Sequence, residues 1–326
     1  MTVLPTPPDL RALTTLRFFA ALWVVLFAAW PHLDVAFTPN VVAKGYLGVE
    51  TFFILSGFIL SHVYLEAAGT KRFSYKGFLW ARIARVYPLH LVTLFGMIGL
   101  GLAATAVGIK IDASLLDWRS LPAHLTMTQA WGLAPGAAFN HPSWSISAEW
   151  FAYLSFPAFA FVAWRLRERP VLATVLAAAF ALAIYAAFQP LAGFSLTQAT
   201  FRWGALRIVP CFALGCALYL VHRRRTLPYA RTIAMLSAIG MAVSTSMLWW
   251  DPIAVLFAGG LILSLGSVAN AKGGLFASKP GVYLGEISYA IYMVHAAVLL
   301  IGFNLAARAT GAEDKLHVIV WLAVVA

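Results

Sequence analysis

Nine apolar runs long enough to cross a bilayer recur along the chain, and a tenth begins as the sequence ends. A bilayer core of about 30 Å needs about twenty apolar residues per helix. The runs fall at 17–37, 45–65, 86–107, 144–164, 171–190, 203–221, 231–249, 252–269, 282–306 and 317–326. The last is too short to cross, so the chain reads as truncated inside its final helix. The first ends at Trp30, Pro31 and His32 without a cleavage signal and reads as a retained span, not a signal peptide. Hydrophobic residues are 62% of the 326 and charged residues 11%, against about 45–50% and about 25% in a soluble domain. A soluble globule cannot hide that much apolar surface, and a disordered chain is far less apolar. The expected fold is therefore all-α: one polytopic helical membrane domain over 1–326, with about ten transmembrane helices and no appended soluble domain.

Basic residues orient such an array. With a cytoplasmic N-terminus, Arg11, Arg17, Lys71, Arg72, Lys76, Arg82, Arg85, Arg165, Arg167, Arg169, Arg223, Arg224, Arg225, Arg231, Lys272 and Lys279 fall inside, 16 of the 23. Lys44, Lys110, Arg119, Arg202, Arg207, Arg308 and Lys315 fall outside. The formal charge of +11 thus has a topological origin, and no nucleic-acid partner is expected. Cys211 and Cys216 share one apolar run without a partner cluster, so neither a disulfide framework nor a metal site is expected. In the longest outer segment, 108–143, Leu115, Leu116, Trp118, Leu121 and Leu125 form an amphipathic piece expected to lie along the outer interface.

Ionisable groups within spans are costly, and each is a functional candidate. Glu50, Glu149 and Arg207 sit near the outer ends of their spans; Arg17, Arg82, Arg85 and Glu286 sit near the inner ends. Such a distribution suits a transporter, or an enzyme that joins an inner donor to an outer acceptor. Six blocks carry these residues. RFFAALWVVLFA (17–28) places Arg17 and Ala28 on one helix face, about 16 Å apart. GYLGVETFFILSGF (45–58) carries Glu50 and has small residues, Ser56 among them, that permit close helix approach. RIARVYP (82–88) sets two arginines at i and i+3, a pair suited to bidentate phosphate binding. WSISAEWFAY (144–153) joins Ser145, Ser147 and Glu149 to Trp144, Trp150, Phe151 and Tyr153. RIVPCFALG (207–215) and LGEISYAIYMVH (284–295) complete the set.

Together, in this order and on these spans, the six blocks resemble acyltransferase family 3, the integral-membrane acyltransferases of O-acetyltransferase type. The resemblance implies transfer of an acyl group, usually acetyl, from cytoplasmic acyl-coenzyme A to a hydroxyl of an extracytoplasmic acceptor, commonly a sugar in a surface polysaccharide, lipopolysaccharide, exopolysaccharide or antibiotic. It implies no permanently bound cofactor, acetyl-coenzyme A being a donor substrate, and a place in the inner membrane of the cell. Arg82, Arg85 and Tyr87 would then bind the donor. Arg17 would hold the phosphopantetheine arm or orient the catalytic group. Glu149, Ser145 and Ser147 would line the acceptor side, with Trp144, Trp150 and Tyr153 placed to stack on a sugar. Ser56 and Arg207 are further candidates. Glu50 and Glu286 are expected as packing partners of Arg207 or other helices, and His295 as structural.

One position departs from the family pattern. The residue eleven after Arg17 is expected to be the catalytic histidine, and here it is Ala28, which cannot transfer a proton. An engineered substitution, a natural inactive relative, or takeover by His32 one turn onward would each account for it. This form is accordingly expected to be inactive or nearly so. The rival to an enzyme is a transporter or acyl flippase, which would call for two symmetric halves with paired broken helices; no such halves are visible. A non-catalytic relative is the third possibility.

Overall fold

The computed structural model describes residues 10–311 except 109–110, 112, 135, 225–226 and 269–274. Lys110, Arg225, Lys272, Lys315 and the short run 317–326 lie outside the described residues. Among the described residues are nine long helices: α1 (Arg11–Ala29), α3 (Gly48–Gly69), α4 (Tyr75–Ala106), α6 (Ser143–Leu166), α7 (Pro170–Ala192), α8 (Gly204–His222), α9 (Ala230–Ser246), α10 (Asp251–Val268) and α11 (Lys279–Thr310). The short helices α2 (Asn40–Ala43) and α5 (Leu121–Leu125) lie in loops. Eight of the long helices are long and apolar enough to cross a membrane, and α9, at 17 residues, falls just short. The chain is a multi-pass helical membrane protein.

Two starts differ from the apolar runs, and both move site residues. The first helix begins at Arg11 and gives way to a 3-10 turn at Trp30, Pro31 and His32, because proline has no amide hydrogen and a fixed φ. The third run opens at Tyr75, well before position 86. Ser74 caps it by accepting from the Gly77 amide at 3.2 Å, and its first three turns are polar enough to escape a hydropathy reading. Arg82 and Arg85 consequently stand about 10 and about 15 Å along α4 from its start.

Helix α8 is the hub and packs against α3, α6, α7 and α10. Its approach to α3 depends on two glycines. A Cβ on Gly215 would stand 2.0 Å from the Ile54 carbonyl oxygen, and one on Gly57 2.2 Å from that of Phe212. The small residues of the two blocks thus serve backbone contact. Helix α1 packs along α11 and against α3, while α9 packs on α10. Val175, Leu176 and Phe180 of α7, and Met235, Leu236 and Ile239 of α9, are exposed, as lipid-facing side chains are in a bundle with no aqueous surface there.

The segment 113–142 closes one end of the bundle. Leu116, Leu121 and Leu125 pack on Leu94 and Ile98 of α4 together with Ala138 and Phe139. They are not the membrane-facing stripe expected from the sequence; of that set Trp118 alone is exposed among those with a stated burial. Polar anchors explain the difference. Tyr87 donates to the Leu125 carbonyl at 2.8 Å, and His90 Nε2 lies 2.8 Å from the His124 carbonyl, so α4 pulls the segment inward. At this end Asp251 bonds Lys44 at 2.5 Å, Tyr46 at 2.9 Å and the Thr197 hydroxyl. That latch joins three connections remote in sequence.

Candidate active site

Five helices place polar side chains around one point in the bundle. Glu149 of α6 accepts from Ser56 of α3 at 2.5 Å on Oε1 and from Tyr153, one turn along α6, at 3.0 Å on Oε2. Arg17 of α1 lies within reach of the charges of Arg85 and Glu149. Tyr289 of α11 lies in the fields of Glu149 and Arg85, and Tyr153 in those of Glu149, Arg82 and Arg85. A cavity of about 40 Å³ sits among them, lined by Arg17, Val49, Phe52, Phe53, Ser145, Ile146, Glu149, Tyr289 and Tyr292.

No carboxylate pairs with the arginines of this site. Arg17 and Arg85 make no hydrogen bond or ion pair among the described residues. Arg82 reaches Tyr64 with Nη2 at 3.4 Å, but its buried Nε has no partner; its guanidinium also lies over the Tyr64 and Phe78 rings. Four guanidinium groups elsewhere are committed, whereas Arg119, Arg169, Arg202 and Arg231 are exposed. Arg207 holds Glu50 through two bonds, 2.6 and 2.9 Å, and donates to the Ala199 and Tyr46 carbonyls. Arg223 pairs with Glu66 at 3.0 Å, Arg224 with Glu168, and Arg167 lies over Trp164 and donates to its carbonyl. Arg17 and Arg82 are half-buried and Arg85 is exposed; three guanidinium groups that no carboxylate pairs suit an anionic ligand that arrives later.

Of the residues singled out from sequence, Arg17, Ser56, Arg82, Arg85, Ser145, Glu149 and Tyr153 come together here. The others are placed as follows. Trp144 is 4% exposed and lies beneath Arg207, 4.6 Å from its guanidinium carbon. Ser147 is buried; its Oγ accepts from the Ala130 amide and its carbonyl from Trp131 Nε1. Both staple the segment 129–133 to α6. The Tyr87 hydroxyl is spent on Leu125, which leaves the arginines to meet an anion. Arg207 and Glu50 pair with each other, whereas Glu286 is exposed and in no ion pair among the described residues. It is therefore not a packing partner of Arg207, because it sits on the other face of α11 from the core. His295 Nδ1 lies 2.5 Å from the Tyr292 carbonyl.

Ala28 is half-buried in a small cluster with Ala29, Leu33, Leu299 and Phe303 and does not line the cavity of about 40 Å³. His32 is exposed and stacks on Phe303, with ring centroids 4.5 Å apart. Tyr289 and Tyr292 carried no individual role from sequence. Their i and i+3 spacing on an apolar helix was the available signal, and only the packing of α11 against α1 directs them to the cavity.

Comparison with known proteins agrees with the architecture. The acyltransferase domain that defines acyltransferase family 3 matches residues 10–326, and the chain belongs to that family. It is 30% identical to acyltransferase MdmB of Streptomyces mycarofaciens, over 92% of this chain and 82% of the relative. It is also 33% identical to protein 2 in the picA locus of Rhizobium radiobacter, over 33% of this chain and 62% of that protein. No solved structure matches. The protein is a membrane acyltransferase.

Proposed function

We propose that the protein transfers a short acyl group, acetyl by preference, from cytoplasmic acyl-coenzyme A to a hydroxyl of a glycan-like acceptor on the other side of the inner membrane. The observation that carries this reading is the set Arg17, Arg82 and Arg85, whose donors no carboxylate bonds. Coenzyme A brings phosphates to the end of the bundle where α4 begins, the end that also holds most of the lysines and arginines. There Arg82 and Arg85 would take the phosphates, and Arg17, deeper and nearer Glu149, would meet the thioester carbonyl. The cavity volume favours a small group. At about 10–15 Å³ per water centre it has room for about three waters, comparable with the three heavy atoms of acetyl. At the opposite end a second cavity of about 380 Å³ is lined by Phe194, Gln198, Thr200, Phe201, Arg202 and Trp203 among others. Aromatic faces beside an amide, a hydroxyl and one cation suit a polyhydroxylated acceptor.

Chemically, the acceptor hydroxyl must lose a proton and the tetrahedral oxyanion must be steadied. Glu149 is the carboxylate at the cavity, and Arg17 is the cation beside it. Ala28 supplies no imidazole, and a general base is worth about 10²–10⁴-fold. Position 28 lines neither cavity, so Ala28→His tests whether the family residue acts from outside them: the resemblance predicts acetyl-coenzyme A-dependent turnover raised at least about 100-fold. Thiol release in lipid nanodiscs reads the rate, and mass spectrometry of surface glycans from cells making each form reads the acceptor. Equal rates for the two forms would remove histidine catalysis at position 28. Failure of both forms to bind or consume acyl-coenzyme A would remove the proposed function.

A further inference from the structure

Donor binding and acceptor binding leave the bond between Ser56 and Glu149 without a task. Ser56 Oγ stands 2.5 Å from Glu149 Oε1, and Tyr153 holds the other carboxylate oxygen at 3.0 Å. A hydroxyl bonded to a carboxylate that a third group orients is the arrangement that activates a nucleophile. Ser56 is partly exposed while Leu55 and Gly57 beside it are buried, so its oxygen is not sealed between helices. Phe52 and Phe53, one turn away on the same face of α3, line the cavity with Arg17 and Glu149. No histidine lines that cavity. His90 and His124 brace the 113–142 segment, and His295 is bonded to its own helix.

We propose that Ser56 is the nucleophile of the reaction as this chain carries it, with Glu149 as its base, so that an acyl-Ser56 ester stands between donor and acceptor. The proposal rests on the acyl-coenzyme A reading given above. In the first half-reaction Ser56 Oγ attacks the thioester carbonyl carbon and its proton passes to Glu149. Arg17 faces the oxyanion. The carbon–sulfur bond then breaks, and coenzyme A leaves as the thiol with the proton from Glu149. In the second half-reaction the acceptor oxygen attacks the ester carbonyl and gives its proton to Glu149. The bond from the acyl carbon to Oγ breaks, and Ser56 recovers the proton. The sum is thioester plus alcohol to ester plus thiol, with no change of oxidation state.

The test uses the full chain in nanodiscs with radiolabelled acetyl-coenzyme A and no acceptor, quenched after a single turnover and mapped by peptide mass spectrometry. An acetyl adduct on the peptide containing Ser56 is expected. It should be absent from Ser56→Ala and should form at least about 100-fold more slowly in Glu149→Gln. In Ser56→Cys the adduct should become a thioester released by neutral hydroxylamine, a change that a merely structural serine would not produce. Equilibrium binding of coenzyme A, unchanged in Ser56→Ala, shows that the variant is folded with its donor site intact. Acetyl transfer by Ser56→Ala at the unaltered rate, or acceptor acetylation with no adduct at position 56, would overturn the relay and leave the acyl-coenzyme A reading standing. Absence of both coenzyme A binding and transfer would remove that reading and the relay together.

Discussion

Arg207 and Arg17 are both guanidinium groups inside the bundle, and the protein treats them in opposite ways. Arg207 is 1% exposed, grips Glu50 with two bonds, donates to two carbonyls and lies on an indole. Arg17, only half-buried, has no bonded partner among the described residues and faces a cavity. A charge withdrawn from water is tolerable when its donors and its charge are met. Arg207 meets that condition within the protein and serves the scaffold. Arg17 and the buried Nε of Arg82 leave the condition for a ligand to meet, with the exposed Arg85 beside them. Burial of charge alone therefore does not mark the site; unsatisfied charge does.

The sharpest way to break the contrast is to remove one half of the satisfied pair. Arg207→Met leaves Glu50 buried and uncompensated, which should cost about 3–5 kcal/mol and sharply reduce the yield of monodisperse protein. Adding Glu50→Gln to that variant should recover much of the loss, since replacing both members of a buried pair is often close to neutral. Thermal unfolding in detergent measures both, and an unaltered single variant would show that the pair is not scaffold.

A smaller effect is expected at the latch. Asp251 is 6% exposed and accepts from Lys44, Tyr46 and Thr197. Asp251→Asn should cost about 1–3 kcal/mol while leaving coenzyme A binding unchanged, because the latch lies at the end of the bundle remote from the start of α4. A loss of coenzyme A affinity with no loss of stability would reverse that assignment.

The smallest effect is a pH dependence. Burial holds the His124 imidazole below its usual pKa, whereas the unfolded chain takes up the proton near the ordinary value of about 6.5. The unfolded state thus binds more protons below about pH 6.5. The His124 contribution is complete above that value, declines as the pH falls and levels off once the folded-state imidazole is protonated too. The slope cannot exceed about 1.4 kcal/mol per pH unit for one group. His124→Gln should flatten the acid limb of stability against pH, and an unchanged limb would mean that another group titrates there.

The apolar runs made the helices legible, since a span must satisfy its backbone internally and leaves a long hydropathy signal. The pairing of Glu50 with Arg207 was open to the same reading, because two opposite charges near one end of neighbouring spans have few other partners. The start of α4 was not legible, because Tyr75 to Arg85 is a helix without an apolar run. Trp144 and Ser147 looked like acceptor-side groups, yet Trp144 lies beneath Arg207 and Ser147 supports the 129–133 segment; an aromatic or a hydroxyl at a span end reads alike in either role. The Asp251 latch depends on residues from three connections, and no local pattern brings positions 44, 197 and 251 together. The site itself was half visible: its charged members announced themselves by cost, while Tyr289 and Tyr292 depended on helix packing.

The central claim is that the unpaired arginines form the donor site, and titration of coenzyme A into the nanodisc-embedded protein tests it most directly. Arg82→Gln and Arg85→Gln should each weaken binding by about 10-fold or more, as expected for a lost charged hydrogen bond, with unfolding temperatures close to that of the parent. Binding should also weaken as salt is raised. Unchanged affinity in the double variant, Arg82→Gln with Arg85→Gln, would contradict the account.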